Sequence, residues 1–112
     1  MFNVDELYKQ SEQLRREGKH EEAIAKLQEL QQQDQSHVLS HLALAVLLGK
    51  VNRHAEAVQH AEKAVQLEPS DTFNWTALSV TYQRAFEGTQ DRQYIYKAEE
   101  AKARAAQVQF QK

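Results

Sequence analysis

His37 and His41 stand four residues apart, a spacing that puts two imidazoles on one face of a helix and could hold a metal ion if a third ligand converged on them. No third ligand is evident in the sequence. The carboxylate pairs Glu21-Glu22 and Glu99-Glu100 are adjacent, so on a helix their side chains leave in different directions and read as solvated surface. With no cysteine, the chain has no disulfide, thiolate nucleophile or thiolate metal site. It also lacks an HExxH motif, a glycine-rich phosphate loop and a GxSxG elbow. These absences point away from an enzyme, and no metal or cofactor is expected.

Composition bounds the elements that carry these side chains. A chain of 112 residues fits one small domain, expected to span 1–112 and to bury about 65% of the surface its unfolded form exposes. Its 27% charged and 41% hydrophobic content is ordinary, and one proline and three glycines are too few for a β-rich or disordered chain. Long helices are the default. A net charge of -2 offers no basic footprint for nucleic acid. No apolar run approaches the ~18 residues of a membrane span, and residues 1–6 have neither the basic start nor the apolar stretch of a secretory signal. A cytoplasmic location is expected, with neither nucleic acid nor membrane as partner.

One interval dominates the pattern. His20, Glu22 and Ala23 return as His54, Glu56 and Ala57, each 34 positions later. Leu14 answers Leu48 and Tyr82, Ser11 answers Ala45 and Ser79, and His41 answers Trp75 at the same interval. That is the period of a stacked helix-turn-helix unit. Breakers and periodicity place helices at about 4–17, ended by Gly18, and at about 20–33, where Gln31, Gln32 and Gln33 read as a solvated helix end. Further helices run from about Ser36 to Gly49 and from about His54 to Leu67; Glu68-Pro69-Ser70-Asp71 stops the latter before another begins near Thr72. The third unit departs from the other two, with Asp91 standing where an alanine should follow Ala57. An insertion at about 84–93 is expected there, with Thr89 capping a last helix that reaches about Phe110 along Tyr94, Ala98, Ala101, Ala105 and Val108.

The second unit carries His41-Leu44-Ala45-Leu48, Ala57, Ala61 and Pro69, and the third Trp75-Leu78-Ser79-Tyr82. The first carries Leu7, Ser11, Leu14, Gly18, Ala23, Leu27 and Leu30, with Gln35 in place of the proline. Over nearly its whole length the chain resembles the tetratricopeptide-repeat (TPR) family, with repeats at about 4–35, 38–69 and 72–110. The resemblance implies an all-α fold: a right-handed superhelical stack of three antiparallel helix-turn-helix repeats, an α-solenoid, in which large residues fill the space left by small ones on neighbouring helices. It also implies a protein-interaction adaptor or scaffold. It assigns His41 to a packing position, and His20 and His54 to the position that packs the turn.

In such a stack the first helix of each unit lines the concave surface. The third helix is apolar on two faces, one stripe being His41, Leu44, Ala45 and Leu48 and the other, about 130° around, Leu39, Leu42, Val46 and Gly49. Equivalent positions are Asp5, Tyr8, Glu12 and Arg15 in the first helix and Phe73, Thr76, Val80 and Gln83 in the fifth. They predict a groove polar at its near end and apolar in its middle and far end, for a short hydrophobic or amphipathic peptide of a partner; bent packing that buries Leu42 and Val46 without a partner is the alternative. Some family members clamp a carboxylate tail with Lys, Arg and Asn. The positions for that clamp hold Tyr8, Glu12, Ala43, Phe73 and Ala77, none with the required chemistry, which argues against a chaperone-tail receptor of that type.

Arg16, Lys50 and Arg84 form a basic column 34 apart, each expected near the end of a first helix. They read either as cations favoured at helix C-termini or as a rim that attracts an acidic flank of the peptide. In the third hairpin, Phe86, Tyr94, Ile95 and Tyr96 either pack on one another or form a self-association surface for a homo-oligomer.

Overall fold

Among the described residues six α-helices follow one another: α1 (Val4–Arg16), α2 (His20–Gln33), α3 (Val38–Lys50), α4 (His54–Leu67), α5 (Thr72–Thr89) and α6 (Gln93–Gln111). The computed structural model describes residues 2–111, among which no strand occurs; Met1 and Lys112, the ends of the expected domain, lie outside them. Each helix packs on the next in sequence, and α3 also reaches α5, so three antiparallel pairs stack side by side. None of the described helices is long and apolar enough to cross a membrane.

Local chemistry sets the boundaries. Asn3 and Glu6 form a capping box: Asn3 Oδ1 accepts from the Glu6 N–H at 2.9 Å, and Glu6 Oε1 accepts from the Asn3 N–H. Gly18 leaves α1 at φ +77, and Asn52, one period later, takes the same left-handed position after α3 at φ +64. The third helix starts later than the sequence pattern suggests. Asp34 Oδ1 accepts from both the N–H and the hydroxyl of Ser36, at 3.0 and 2.9 Å, which holds Ser36 in a turn outside the helix. His37 then caps α3, its Nδ1 accepting from the Ser40 N–H at 3.1 Å.

The core consists of two clusters with the middle pair in both. Leu7, Ile24, Leu27, Leu30, Leu44, Leu47 and Leu48 pack with Ala23 and Ala57 beneath the first two pairs. Ala45, Val58, Ala61 and Val65 pack with Leu78, Tyr82, Ala85, Ala98 and Ala101 beneath the last two. The Tyr82 hydroxyl donates to Glu62 Oε2 at 2.6 Å, and burial, then that acceptor, raises the phenol above its ordinary pKa.

The third hairpin corrects the expectation that Thr89 caps the last helix, and its extra length lies in the helices themselves. Residues 84–89 continue α5, and only residues 90–92 separate it from α6. The helix persists because Ala85 extends the buried stripe of Leu78 and Tyr82, so burial continues past the point where the other two units turn. Thr89 is the last residue of α5, its hydroxyl donating to the Ala85 carbonyl at 2.7 Å. Gln90, left-handed at φ +63, ends that helix, and Asp91 Oδ1 accepts from the Gln93 N–H at the start of α6.

Gly88 lies against α4: a Cβ there would overlap the His54 imidazole, 2.6 Å from Cδ2 and nearer still to Nε2. In an open helix Gly→Ala gains about 1 kcal/mol. Gly88→Ala is instead expected to lose about 1–3 kcal/mol through overpacking. In a His54→Ala background the same change should become stabilising. Urea denaturation of the four proteins checks both signs.

Candidate ligand-binding groove

The first helix of each pair spends one stripe on the core, leaving a second stripe uncovered. Tyr8, Glu12 and Arg15 of α1, Leu39, Leu42, Ala43 and Val46 of α3, and Phe73 of α5 line a hollow of about 290 Å³. Leu39 is 56% exposed, Phe73 64%, and Val46 and Val80 38% each, while Leu42 is half-buried. Bent packing therefore covers Leu42 in part and leaves Val46 uncovered. Thr76, Val80 and Gln83 are exposed along α5 but stay outside the hollow.

The polar end is internally compensated. Arg15 makes a bidentate contact with Glu12, Nη2 to Oε2 at 2.9 Å and Nε to Oε1 at 3.4 Å, so neither contributes a free charge. Tyr8 stacks obliquely near His37 with ring centroids 5.7 Å apart. Burial, then the Glu12 charge, raises its phenol pKa, so the hydroxyl stays neutral at physiological pH. Asp5 is exposed, and Ala77 is half-buried with nothing to donate.

Arg16, Lys50 and Arg84 are all exposed, and none makes an ion pair among the described residues. Arg16 and Lys50 end their helices. Arg84, expected near an end, lies five residues before the end of the lengthened α5, so a helix-terminus role covers two of the three. In the third hairpin Tyr94 is committed to packing, stacked on Tyr82 at 6.1 Å, and Phe86 is half-buried. Ile95 and Tyr96 point outward, 39% and 67% exposed.

A polar seam escaped the sequence reading. His41, expected at a packing position, is only 6% exposed, and its Nε2 lies 2.8 Å from the Gln35 carbonyl. One period later the Trp75 indole N–H donates to the Pro69 carbonyl at 2.7 Å. The same ring-to-carbonyl bond thus recurs in consecutive units, 34 residues apart. Gln31, expected in a solvated helix end, instead binds Ser40 Oγ and His41 Nδ1, each at 3.1 Å. The available signal was its register: Gln31 stands one period before the buried Val65.

The sequence matches no family model and no curated protein. Solved structures superimpose well. YrrB, described as a TPR protein with an unusual peptide-binding site, shares 19% identity at a TM-score of 0.78, covering 97% of this chain and 53% of its own. The chain has the tetratricopeptide-repeat fold. Another TPR-like neighbour is MamA 41-end from Desulfovibrio magneticus RS-1, at 19% identity and TM-score 0.76, with 95% of this chain and 56% of that one covered. The first TPR domain of Spaghetti (RPAP3), solved with the HSP90 peptide SRMEEVD, gives 17% identity and TM-score 0.66 over 95% and 92% of the two chains. The chain spans little more than half of the first two structures. In this TPR stack, His41 and Trp75 are equivalent tethers that tie a first helix to the end of the preceding unit.

Proposed function

We propose that this protein is a non-catalytic interaction module that takes a short hydrophobic or amphipathic segment of another protein in the concave groove of α1, α3 and α5. The observation that carries this reading is the hollow bordered by Leu39, Val46 and Phe73, apolar side chains left exposed on the face where a TPR stack is open. Two structural neighbours are described with a peptide site or a bound peptide. The unpaired column Arg16, Lys50 and Arg84 favours a segment whose apolar centre is flanked by acidic residues. A tail carboxylate has no comparable seat: Arg15 is already paired with Glu12, and Ala43 offers no donor.

The test uses the full chain and fluorescein-labelled peptides with a Leu- or Phe-containing centre and either Asp/Glu or Lys/Arg flanks, read by anisotropy. Acid-flanked peptides should bind more tightly, and more weakly as salt rises. Leu39→Glu and Phe73→Glu should each weaken binding at least tenfold while leaving the melting temperature within a few degrees, because both side chains are exposed. Equal binding by wild type and both variants would overturn the groove reading.

The outward Ile95 and Tyr96 support a second reading, self-association through the third hairpin. Light scattering over a wide concentration range separates the two. A dimer dispersed by Tyr96→Glu but not by Phe73→Glu would favour assembly.

A further inference from the structure

His41 and His60 meet nitrogen to nitrogen. Their Nδ1 atoms are 2.9 Å apart and their ring centroids 5.2 Å apart, the arrangement of two imidazoles facing head-on. A shared metal would instead need both lone pairs to converge on a point about 2.0–2.1 Å from each nitrogen. This is a hydrogen bond, and the surroundings settle which ring donates. His41 Nε2 faces a carbonyl, an acceptor only, so it carries its proton there, as the donor-only Trp75 indole does one period later. His41 Nδ1 is then a bare acceptor, receiving the Gln31 amide and the His60 Nδ1–H.

We propose that this pair is a proton-operated latch on the seam between the first and second TPR units: it takes one proton while closed and opens on the second. The first proton goes to the free nitrogen of His60, which borders a solvent-open hollow of about 420 Å³ with Gln28, Gln32, Gln59 and Lys63. The resulting imidazolium still donates through Nδ1 to a neutral His41, and the bond gains charge assistance. A second proton must land on His41 Nδ1, where it would confront the His60 N–H and the Gln31 amide, three donors with no acceptor. Turning the Gln31 amide over would offer its oxygen to the new N–H, with Ser40 Oγ left facing that oxygen, but the His60 Nδ1–H would still confront the His41 Nδ1–H at 2.9 Å.

The charges around the pair are mixed. Lys63 of α4 and His37 before α3 oppose a charge on His41, and Asp34 after α2 favours one; Glu56 of α4 favours a charge on His60. Burial is the largest influence on both rings and lowers both pKa values, with His41 adding to the effect on His60. Because the folded values lie below the unfolded value near 6.5, the stabilisation is complete above about pH 6.5 and falls as pH drops towards the lowered values. Opening would loosen α3, which carries Leu39, Leu42 and Val46, from α4 and from the end of α2. The latch stands whether or not the groove binds peptide.

The first experiment is ¹H–¹⁵N NMR of the histidine rings in the full chain. His41 should be the Nε2–H tautomer and His60 the Nδ1–H tautomer at pH 7.5, and His60 should charge first while His41 stays neutral. The second is urea unfolding of wild type and His60→Gln from pH 7.5 to 5. A glutamine can donate to His41 or turn to accept from it, so the variant keeps the seam but not the conflict. One refused proton raises the wild-type unfolding constant about 30-fold between pH 7.5 and 5; in His60→Gln that increment should shrink to a few-fold. An Nδ1–H tautomer on His41, an ordinary titration of His41 near 6.5, or an unchanged pH slope in a folded His60→Gln would overturn the latch. The wild-type spectra decide the matter if the variant does not fold.

Discussion

Replacing Leu44 with alanine is expected to remove about 2–5 kcal/mol of stability, a large share of the roughly 5–15 kcal/mol a small protein possesses. Leu44 is fully buried in the cluster that joins the first two helical pairs, with Leu7, Leu27 and Leu30 among its companions, so the change leaves a cavity with no solvent route to fill it. Its position makes the cost global. α3 packs on α2, α4 and α5, and in a stack where each unit contacts only its neighbours, a weakened middle unit loosens both interfaces at once. Val108→Ala in α6, at the end of the described stack, should cost only about 1–2 kcal/mol for the methyl groups lost. Urea titrations followed by circular dichroism compare the two directly. Equal losses would mean that the middle unit carries no special coupling.

Ala45→Leu should be destabilising from the opposite cause, by about 1–3 kcal/mol or more. Ser11, Ala45 and Ser79 form a column one period apart, and all three are buried at the places where first helices meet their neighbours. Ala45 faces Val58, Ala61 and Val65 of α4 and the Leu78–Tyr82 side of α5, so added carbons can be accommodated only by moving helices. One residue further on, Val46 points into the open groove, and Val46→Leu should alter stability by less than about 0.5 kcal/mol. Melting temperatures of the two variants, measured side by side, test whether adjacent residues of α3 serve the core and the groove separately. A comparable loss in both would show that the groove wall is packed as tightly as the core.

The 34-residue interval, the helical pairs and the small-residue column were legible in the residues because a repeat packs only against its neighbours, which turns three-dimensional contact into a one-dimensional period. The uncovered stripe of α3 was legible for a related reason: helical periodicity assigns Leu39, Leu42 and Val46 to a face that the core does not need. Spacing along one chain could not show how far apart two helices stand. The tertiary structure alone decided that Phe73 closes the hollow while Thr76, Val80 and Gln83 fall outside it. It alone decided that the burial of Ala85 carries α5 on to Thr89, which ends that helix instead of capping the next. The contact of Gln31, His41 and His60 likewise depends on the distance and rotation between α2, α3 and α4, and a hydrogen bond is made or lost within a few tenths of an ångström that no sequence interval encodes.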